Sequence, residues 1–252
     1  MRSMMTRANI YHQDFSAGLS GKYRSVYDLV PCNSRVLELG CSTGYFTDYL
    51  IKKCATVIAV DCDSSSIKAC QDRGIPALLI DLSSDNIDNY LTNKTLFDVV
   101  IAMDVLEHLS NPKNLLIRLH KYMTSSSRLI VTGPNVAYWH MRWELLCGRW
   151  NYTEAGIMDE THLRWFTRAT WRKLLEESGF VIMVDRIADS LLPKEYQIRT
   201  VPGLRVIVDK LKPFCEKMLP NLIAMIFLFC CQPNRKWPLK NESLVYDPNP
   251  HL

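Results

Sequence analysis

Val36-Leu37-Glu38-Leu39-Gly40-Cys41-Ser42-Thr43-Gly44-Tyr45-Phe46 is the stretch on which the fold turns. Its first four residues are mostly apolar with a β-branched start, a turn bracketed by Gly40 and Gly44 follows, and an amphipathic run begins at Phe46. This is a strand feeding a tight turn and then a helix. Glycine at both ends of the turn permits positive φ and lets a ligand approach the backbone closely. A dinucleotide fingerprint would need Gly at 42 and 45, where Ser42 and Tyr45 stand, and no Lys follows Gly44 as in a phosphate-cradling loop.

Working outward, the same alternation repeats. An N-terminal arm (1–21) runs into a helix over 16–30, with Leu19, Tyr23, Val26, Tyr27 and Val30 at helical spacing and Pro31 ending it. Further strands are expected at Thr56–Val60, Ala77–Ile80, Phe97–Ala102 and Arg128–Thr132, with a short helix within 85–96 and another opened by Ser110-Asn111-Pro112 and running to about Tyr122. Strands alternating with helices call for a doubly wound α/β fold, a mostly parallel sheet covered on both faces. Ligands of such sheets sit off the carboxyl ends of the strands. Thr167 caps a later helix that ends at Gly179, Phe180–Asp185 is a sixth strand, and Leu222–Cys231, ten uncharged residues and too short to span a bilayer, is the last.

Composition bounds the function. At 252 residues the chain has room for one domain with elaborations, here 22–231, followed by a flexible tail over 232–252. A net charge of +4, from 30 basic and 26 acidic residues, argues against a dedicated nucleic-acid binder. Nine cysteines without C-x-x-C spacing read as reduced thiols in a cytoplasmic protein, and the start of the chain lacks the apolar run of a secretory signal.

Asp61 lies 21 residues past Gly40, at the end of the second strand, where nucleotide-binding α/β folds place a carboxylate for the two ribose hydroxyls. Capping the helix that follows is the plainer reading. Asp81-Leu82 stands after the third strand, and Asp81 too could be only a cap before Ser83-Ser84. Met103 and the cluster Asp104-x-x-Glu107-His108 follow the fourth strand. The connection over 135–166 is too long for an ordinary loop and is expected to form a lid over an acceptor. In it Trp139 and Tyr152 offer ring surface, and Arg142, Arg149 and Arg164 suit carboxylate or phosphate, although the segment could equally be a helical cap with its own core. The insertion 190–218 holds Leu204, Ile207, Val208, Leu211 and Cys215 at helical spacing beside Arg205, Lys210, Lys212 and Lys217. Such a basic amphipathic helix either lies on anionic lipid or covers a sheet edge, and Pro213 should kink or end it.

The stretch Glu38-Leu39-Gly40-Cys41-Ser42-Thr43-Gly44 resembles the first motif of the class I S-adenosylmethionine-dependent methyltransferases, with Ser42 where a middle Gly is usual. The resemblance implies a seven-stranded Rossmann-like sheet whose last strand is antiparallel, and S-adenosylmethionine bound by Glu38, Gly40, Cys41, Ser42, Gly44, Asp61, Asp81, Leu82 and Met103. Gly133-Pro134-Asn135-Val136-Ala137-Tyr138-Trp139 and Asp159-Glu160-Thr161-His162-Leu163-Arg164-Trp165-Phe166-Thr167 look like a bacterial subgroup linked to cell-surface polysaccharide pathways, near families labelled for ubiquinone and methionine biosynthesis. The likeness covers roughly residues 22–185 and the final strand. The Asp104-x-x-Glu107-His108 block resembles the Glu-x-x-Glu-His of ubiquinone-pathway and small-RNA ribose methyltransferases, where it holds a divalent ion. By that likeness Asp104, Glu107, His108 and His162 would form a metal site, softer than one for Mg²⁺; in metal-free relatives a similar Glu-His only ties the loop down.

The resulting expectation is O-methylation of a small-molecule, glycan or lipid-linked acceptor, with His162 or His108 as base. RNA ribose 2′-O-methylation and a non-catalytic S-adenosylmethionine-binding partner remain the other classes; methionine-biosynthesis relatives tend to lack the acidic-histidine block, whose presence favours catalysis. The chain is expected to act in the cytoplasm as a monomer or homodimer, with contact to a membrane surface open.

Overall fold

The structure, a computed structural model, describes residues 13, 15, 18–84, 87–91, 95–192 and 204–237, with backbone alone at 204–208. Most of the expected N-terminal arm, the first part of the 190–218 insertion and the tail from 238 lie outside the described residues.

Seven strands form one sheet: β1 (Arg35–Leu39), β2 (Thr56–Asp61), β3 (Ala77–Leu79), β4 (Phe97–Met103), β5 (Met123–Pro134), β6 (Phe180–Ser190) and β7 (Ala224–Pro233), in the order β3-β2-β1-β4-β5-β7-β6. β1 to β5 pair in parallel, and β7 runs antiparallel to both β5 and β6. The expected doubly wound sheet with an antiparallel last strand is therefore the observed one.

Period-two alternation along the central strands explains its two cores. Leu37 and Leu39 join the cluster that includes Leu116, Trp171 and Leu175, while Val36 packs with Val26, Phe46 and Leu50. The helices covering these faces are α1 (Gly21–Leu29), α2 (Thr47–Lys53), α3 (Ser64–Asp72), α4 (Pro112–Leu119) and α6 (Arg168–Glu177); α5 (Trp139–Leu146) lies in the lid segment, and α7 (Leu204–Met218) and α8 (Pro220–Ile223) precede β7. Side chains cap the starts of α3, α4 and α6. Asp63 accepts from Ser66 N–H at 2.9 Å, Asn111 accepts from Asn114 N–H at 3.1 Å ahead of Pro112, and Thr167 and Thr170 exchange hydrogen bonds in a capping box.

Several boundaries differ from expectation. The first helix starts at Gly21, because Gly18 and Gly21 take φ of +88° and +53° and interrupt the apolar spacing. Between 85 and 96 the described residues show a single 3-10 turn at Ile87–Asn89. β5 extends past its apolar run at both ends, pairing with β4 at Met123 and with β7 through Pro134, and β6 is lengthened along β7 to Ser190. β7 continues past Cys231 to Pro233, and Asn234 N–H donates to Gly179 O at 2.8 Å, so order extends into the expected tail. Pro213 lies inside α7 and does not end it.

Candidate functional site

The turn after β1 is built for close approach. Gly40 and Gly44 adopt φ of +73° and +74°. A Cβ on Gly40 would collide with Val105 Cγ2, and one on Gly44 would meet Ile75 Cδ1 at 2.8 Å and Cys70 Sγ at 2.9 Å. Ser42, where the likeness expects glycine, is also left-handed, at φ +48°, and its buried Oγ has no partner among the described residues. Cys41 and Cys70, both buried, direct their Sγ atoms at Ser42 O, at 3.5 and 3.4 Å.

Asp61 stands at the end of β2 and braces this turn. Its Oδ2 accepts from Ser42 N–H at 2.7 Å and its Oδ1 from Asp63 N–H at 2.9 Å. Burial pushes its carboxyl above the usual range, and these two backbone donors oppose the shift. A carboxylate offers about four lone-pair sites, so these donors do not exhaust the capacity of Asp61 to accept from a ligand hydroxyl. Glu38 is fully buried in β1 and accepts from Thr47 Oγ1 at 2.7 Å. Burial raises its carboxyl to about 8, against the opposing bond from Thr47. Asp81 is exposed beyond β3 and accepts from Ser83 N–H and Ser84 Oγ, both at 2.9 Å, the turn-forming role beside which Leu82 is half-buried.

The half-buried Met103 ends β4 and is followed by Asp104 at φ +53°, whose N–H donates to Thr132 O at 3.1 Å. Asp104 departs from the expected metal set. Its carboxylate accepts from Thr132 Oγ1 at 2.9 Å and from Lys22 Nζ on α1, and it lies outside the cluster formed by Glu107, His108 and His162. Burial would raise the Asp104 carboxyl, but the Lys22 charge overrides it and holds it below its ordinary value. Sequence reasoning missed Lys22, which is 82 residues away and signalled only by being a lysine within an aromatic helical stripe.

The other three residues converge. Ligand atoms of Glu107, His108 and His162 lie within 4.8 Å of one another, and the two imidazoles meet edge to face at 4.6 Å between centroids. The hydrogen bonds fix the tautomers. His162 Nδ1 is 3.1 Å from Ile157 O, an acceptor only, so Nδ1 carries the proton and Nε2 is the basic nitrogen. Thr161 Oγ1 donates to Asp159 Oδ1 at 2.6 Å, so it accepts from His108 Nδ1–H at 2.9 Å and leaves Nε2 of that ring basic too. Burial, then the neighbouring His108, lowers the His162 imidazole below its ordinary value.

Glu107 is fully buried, and neither carboxylate oxygen has a partner among the described residues. Burial and the Asp104 charge push it well above the usual range. Its carbonyl meanwhile accepts from Leu163 and Arg164 N–H at 2.9 and 3.0 Å, so the loop is also tied to the lid as the metal-free alternative requires. An orphaned buried carboxylate beside two imidazoles fits a divalent cation. Two nitrogens and one oxygen suit a borderline ion better than Mg²⁺.

The 135–166 connection has a core of its own, Tyr138, Met141 and Met158, which is the feature of the helical-cap alternative. Trp139 Nε1 donates to Leu191 O at 2.9 Å, and Tyr152 is exposed beside Trp165. The three arginines are not gathered. Arg142 donates to Ala137 O at 2.7 Å, Arg149 pairs twice with Glu144 at 2.7 and 2.9 Å, and Arg164 donates to Ser110 O at 2.7 Å.

Sheet order, glycine turn and strand-end carboxylates together define a class: the protein has the Rossmann-like fold of the S-adenosylmethionine-dependent methyltransferases. Solved structures share the architecture; a S-adenosylmethionine-dependent methyltransferase from Archaeoglobus fulgidus superposes with a TM-score of 0.57 at 19% identity, over 84% of this chain and 90% of that one. Within the class, the family model described as methionine biosynthesis protein MetW matches residues 21–188, and the chain belongs to that family. It is similar, at 27% identity over 143 residues, to an uncharacterized methyltransferase of Mycobacterium tuberculosis, covering 54% of this chain and 72% of the relative. It is also similar, at 28% over 144 residues, to a ubiquinone biosynthesis O-methyltransferase of Bradyrhizobium diazoefficiens, of which it spans 52%.

Proposed function

We propose that the protein transfers the methyl group of S-adenosylmethionine to an oxygen of a small-molecule, glycan or lipid-linked acceptor. One observation carries this reading: Val105 packs onto Gly40, so the loop bearing Glu107 and His108 abuts the cofactor turn, with His162 brought to it from the lid. A cofactor-binding scaffold without chemistry has no need of two basic imidazole nitrogens beside a buried carboxylate.

The sulfonium already makes the methyl electrophilic, so the protein's task is to align donor and acceptor and exclude water. Gly40, Ser42 and Asp61 would hold the donor. As the acceptor oxygen forms its bond to the methyl carbon and the sulfonium C–S bond breaks, the hydroxyl proton passes to Nε2 of His162 or His108. A divalent ion held by Glu107, His108 and His162 would occupy those Nε2 lone pairs and stand in place of the histidine base, supplying Lewis acidity that lowers the pKa of that hydroxyl. The lid aromatics Trp139 and Tyr152 supply ring surface suited to a sugar-like acceptor, in keeping with the likeness of this segment to polysaccharide-pathway enzymes. RNA is disfavoured because Arg142, Arg149 and Arg164 are each committed to a partner within the protein.

The test is calorimetric titration with S-adenosylmethionine for the protein and for Asp61→Ala, followed by transfer of labelled methyl to sugar and lipid-linked acceptors. Binding that Asp61→Ala abolishes, with labelled oxygen ethers that His162→Ala no longer forms, is the expected result. Cofactor binding without turnover on any acceptor, together with a stable protein partner in pull-downs, would overturn catalysis in favour of a cofactor-sensing role.

A further inference from the structure

We propose that α7, together with the lid helix α5, docks the protein on the surface of an anionic phospholipid bilayer. α7 is mounted with its polar side inward. Lys212 Nζ donates to Ser190 O at 2.8 Å, and Ser190 Oγ donates to Glu216 Oε1 at 2.6 Å, so positions 212 and 216, one turn apart, face the body. The outward side carries Leu211, Phe214 and Met218, exposed by 51, 62 and 60%, and Leu219 follows just beyond the helix. A helix covering a sheet edge would present the opposite face.

In the sequence, the same spacing runs back through Ile207 and Leu204. Exposed Lys210 and Lys217 stand seven residues apart, on the flank next to Phe214. An apolar stripe edged by lysines is the pattern of a helix lying in a bilayer interface, the lysines reaching the phosphates while the apolar side chains enter the acyl boundary. No described helix is long and apolar enough to cross a membrane.

The placement adds a second argument. β6 ends at Ser190, alongside the start of β7 and, through it, the end of β5, so α7 is anchored at the carboxyl end of the sheet where the site lies. Leu191 O accepts from Trp139 Nε1 at 2.9 Å and Tyr138 Oη at 3.3 Å, which ties α5 to the same anchor. α5 also exposes Trp143, Leu145 and Leu146. Two helices with bare apolar residues thus attach at one point beside the candidate active site. A lipid surface accounts for both, and the lysines select one carrying negative charge. The inference stands on exposure and charge, and holds or fails independently of the methyl acceptor.

Flotation of the full chain with phosphatidylcholine vesicles, with and without phosphatidylglycerol, tests it. The expected result is binding to the phosphatidylglycerol vesicles that high salt weakens. The triple variant Leu211→Ser/Phe214→Ser/Met218→Ser should reduce partition at least about tenfold, and Lys210→Gln/Lys217→Gln should reduce it by about fivefold per lysine on anionic vesicles. Both sets of substitutions are at exposed positions, and S-adenosylmethionine binding by each variant should remain unchanged. Absence of vesicle binding by the folded wild type, or equal binding by the triple variant, would overturn the proposal. So would a dimer that ignores vesicles and is dissociated by Phe214→Ser, which would identify a second copy of the chain as the occupant.

Discussion

Lys22 of α1 donates a hydrogen bond to Asp104 beyond β4, joining the first helix to the loop that carries Glu107 and His108. Burial would lower the Lys22 ammonium, but the Asp104 carboxylate outweighs it and moves the lysine up. The consequence is a division of labour within Asp104-x-x-Glu107-His108: the first acid holds the fold together, and the second faces the two histidines.

Replacing Lys22 should expose that coupling. Lys22→Met leaves the carboxylate without its cation, at a cost of about 2 kcal/mol, below the figure for a fully enclosed pair because both side chains retain some exposure. The double variant Lys22→Met/Asp104→Asn removes the stranded charge and should recover most of the loss. Thermal melts of the three proteins check this; equal melting temperatures for the single and double variants would show that the pair is not coupled.

The cation site makes a different prediction. Purified protein stripped with chelator should bind one Co²⁺ per chain, with visible absorption typical of mixed nitrogen and oxygen ligation, and Glu107→Gln or His162→Ala should abolish the spectrum. Asp104→Asn should leave it in place, because Asp104 is engaged by Lys22 and Thr132. If no Co²⁺ spectrum appears, Glu107 is a buried tie for the loop and the histidines act as bases alone.

Ser42 carries left-handed backbone that glycine would adopt without strain. Ser42→Gly should therefore stabilise the protein by about 1 kcal/mol, and it also removes a buried hydroxyl lacking a partner. A rise in melting temperature accompanied by weaker S-adenosylmethionine binding would identify that hydroxyl as a cofactor contact. A fall in melting temperature would contradict the strain argument.

What could be read from the sequence divides by distance along the chain. The turn Gly40–Gly44, the caps at Asn111 and Thr167, and the positions of Asp61 and Asp81 at or beyond strand ends follow from local chemistry, and local spacing sufficed to find them; the cap offered to Asp61 falls instead on Asp63, two residues on. Partners supplied by remote segments did not show. Nothing near Asp104 announces Lys22, and nothing near His108 announces that Thr161 and Asp159 will orient its ring. The arginines of the lid illustrate the converse. Their residue type suggested phosphate or carboxylate ligands, yet Glu144 and the carbonyls of Ala137 and Ser110 were at hand to engage them. The orientation of α7 was ambiguous because its lysines and apolar residues fit either exposure, and it was resolved by Ser190 receiving Lys212 and donating to Glu216.

Glu38 links the cofactor turn to the pH dependence of stability. Its carboxyl is raised to about 8 by burial, so the native state keeps a proton that the unfolded chain releases above the ordinary glutamate value of 4.5. The stabilisation is fully present below about 4.5 and is lost as pH rises through about 8, with a slope of up to roughly 1.4 kcal/mol per pH unit in between. Glu38→Gln keeps a carbonyl to accept from Thr47 Oγ1 and has nothing to ionise. The wild type should therefore lose stability relative to Glu38→Gln between pH 5 and pH 8, read as the difference between their denaturant midpoints so that other titrating groups cancel. Parallel midpoint curves across that window would mean that Glu38 ionises in the folded protein as it does in water.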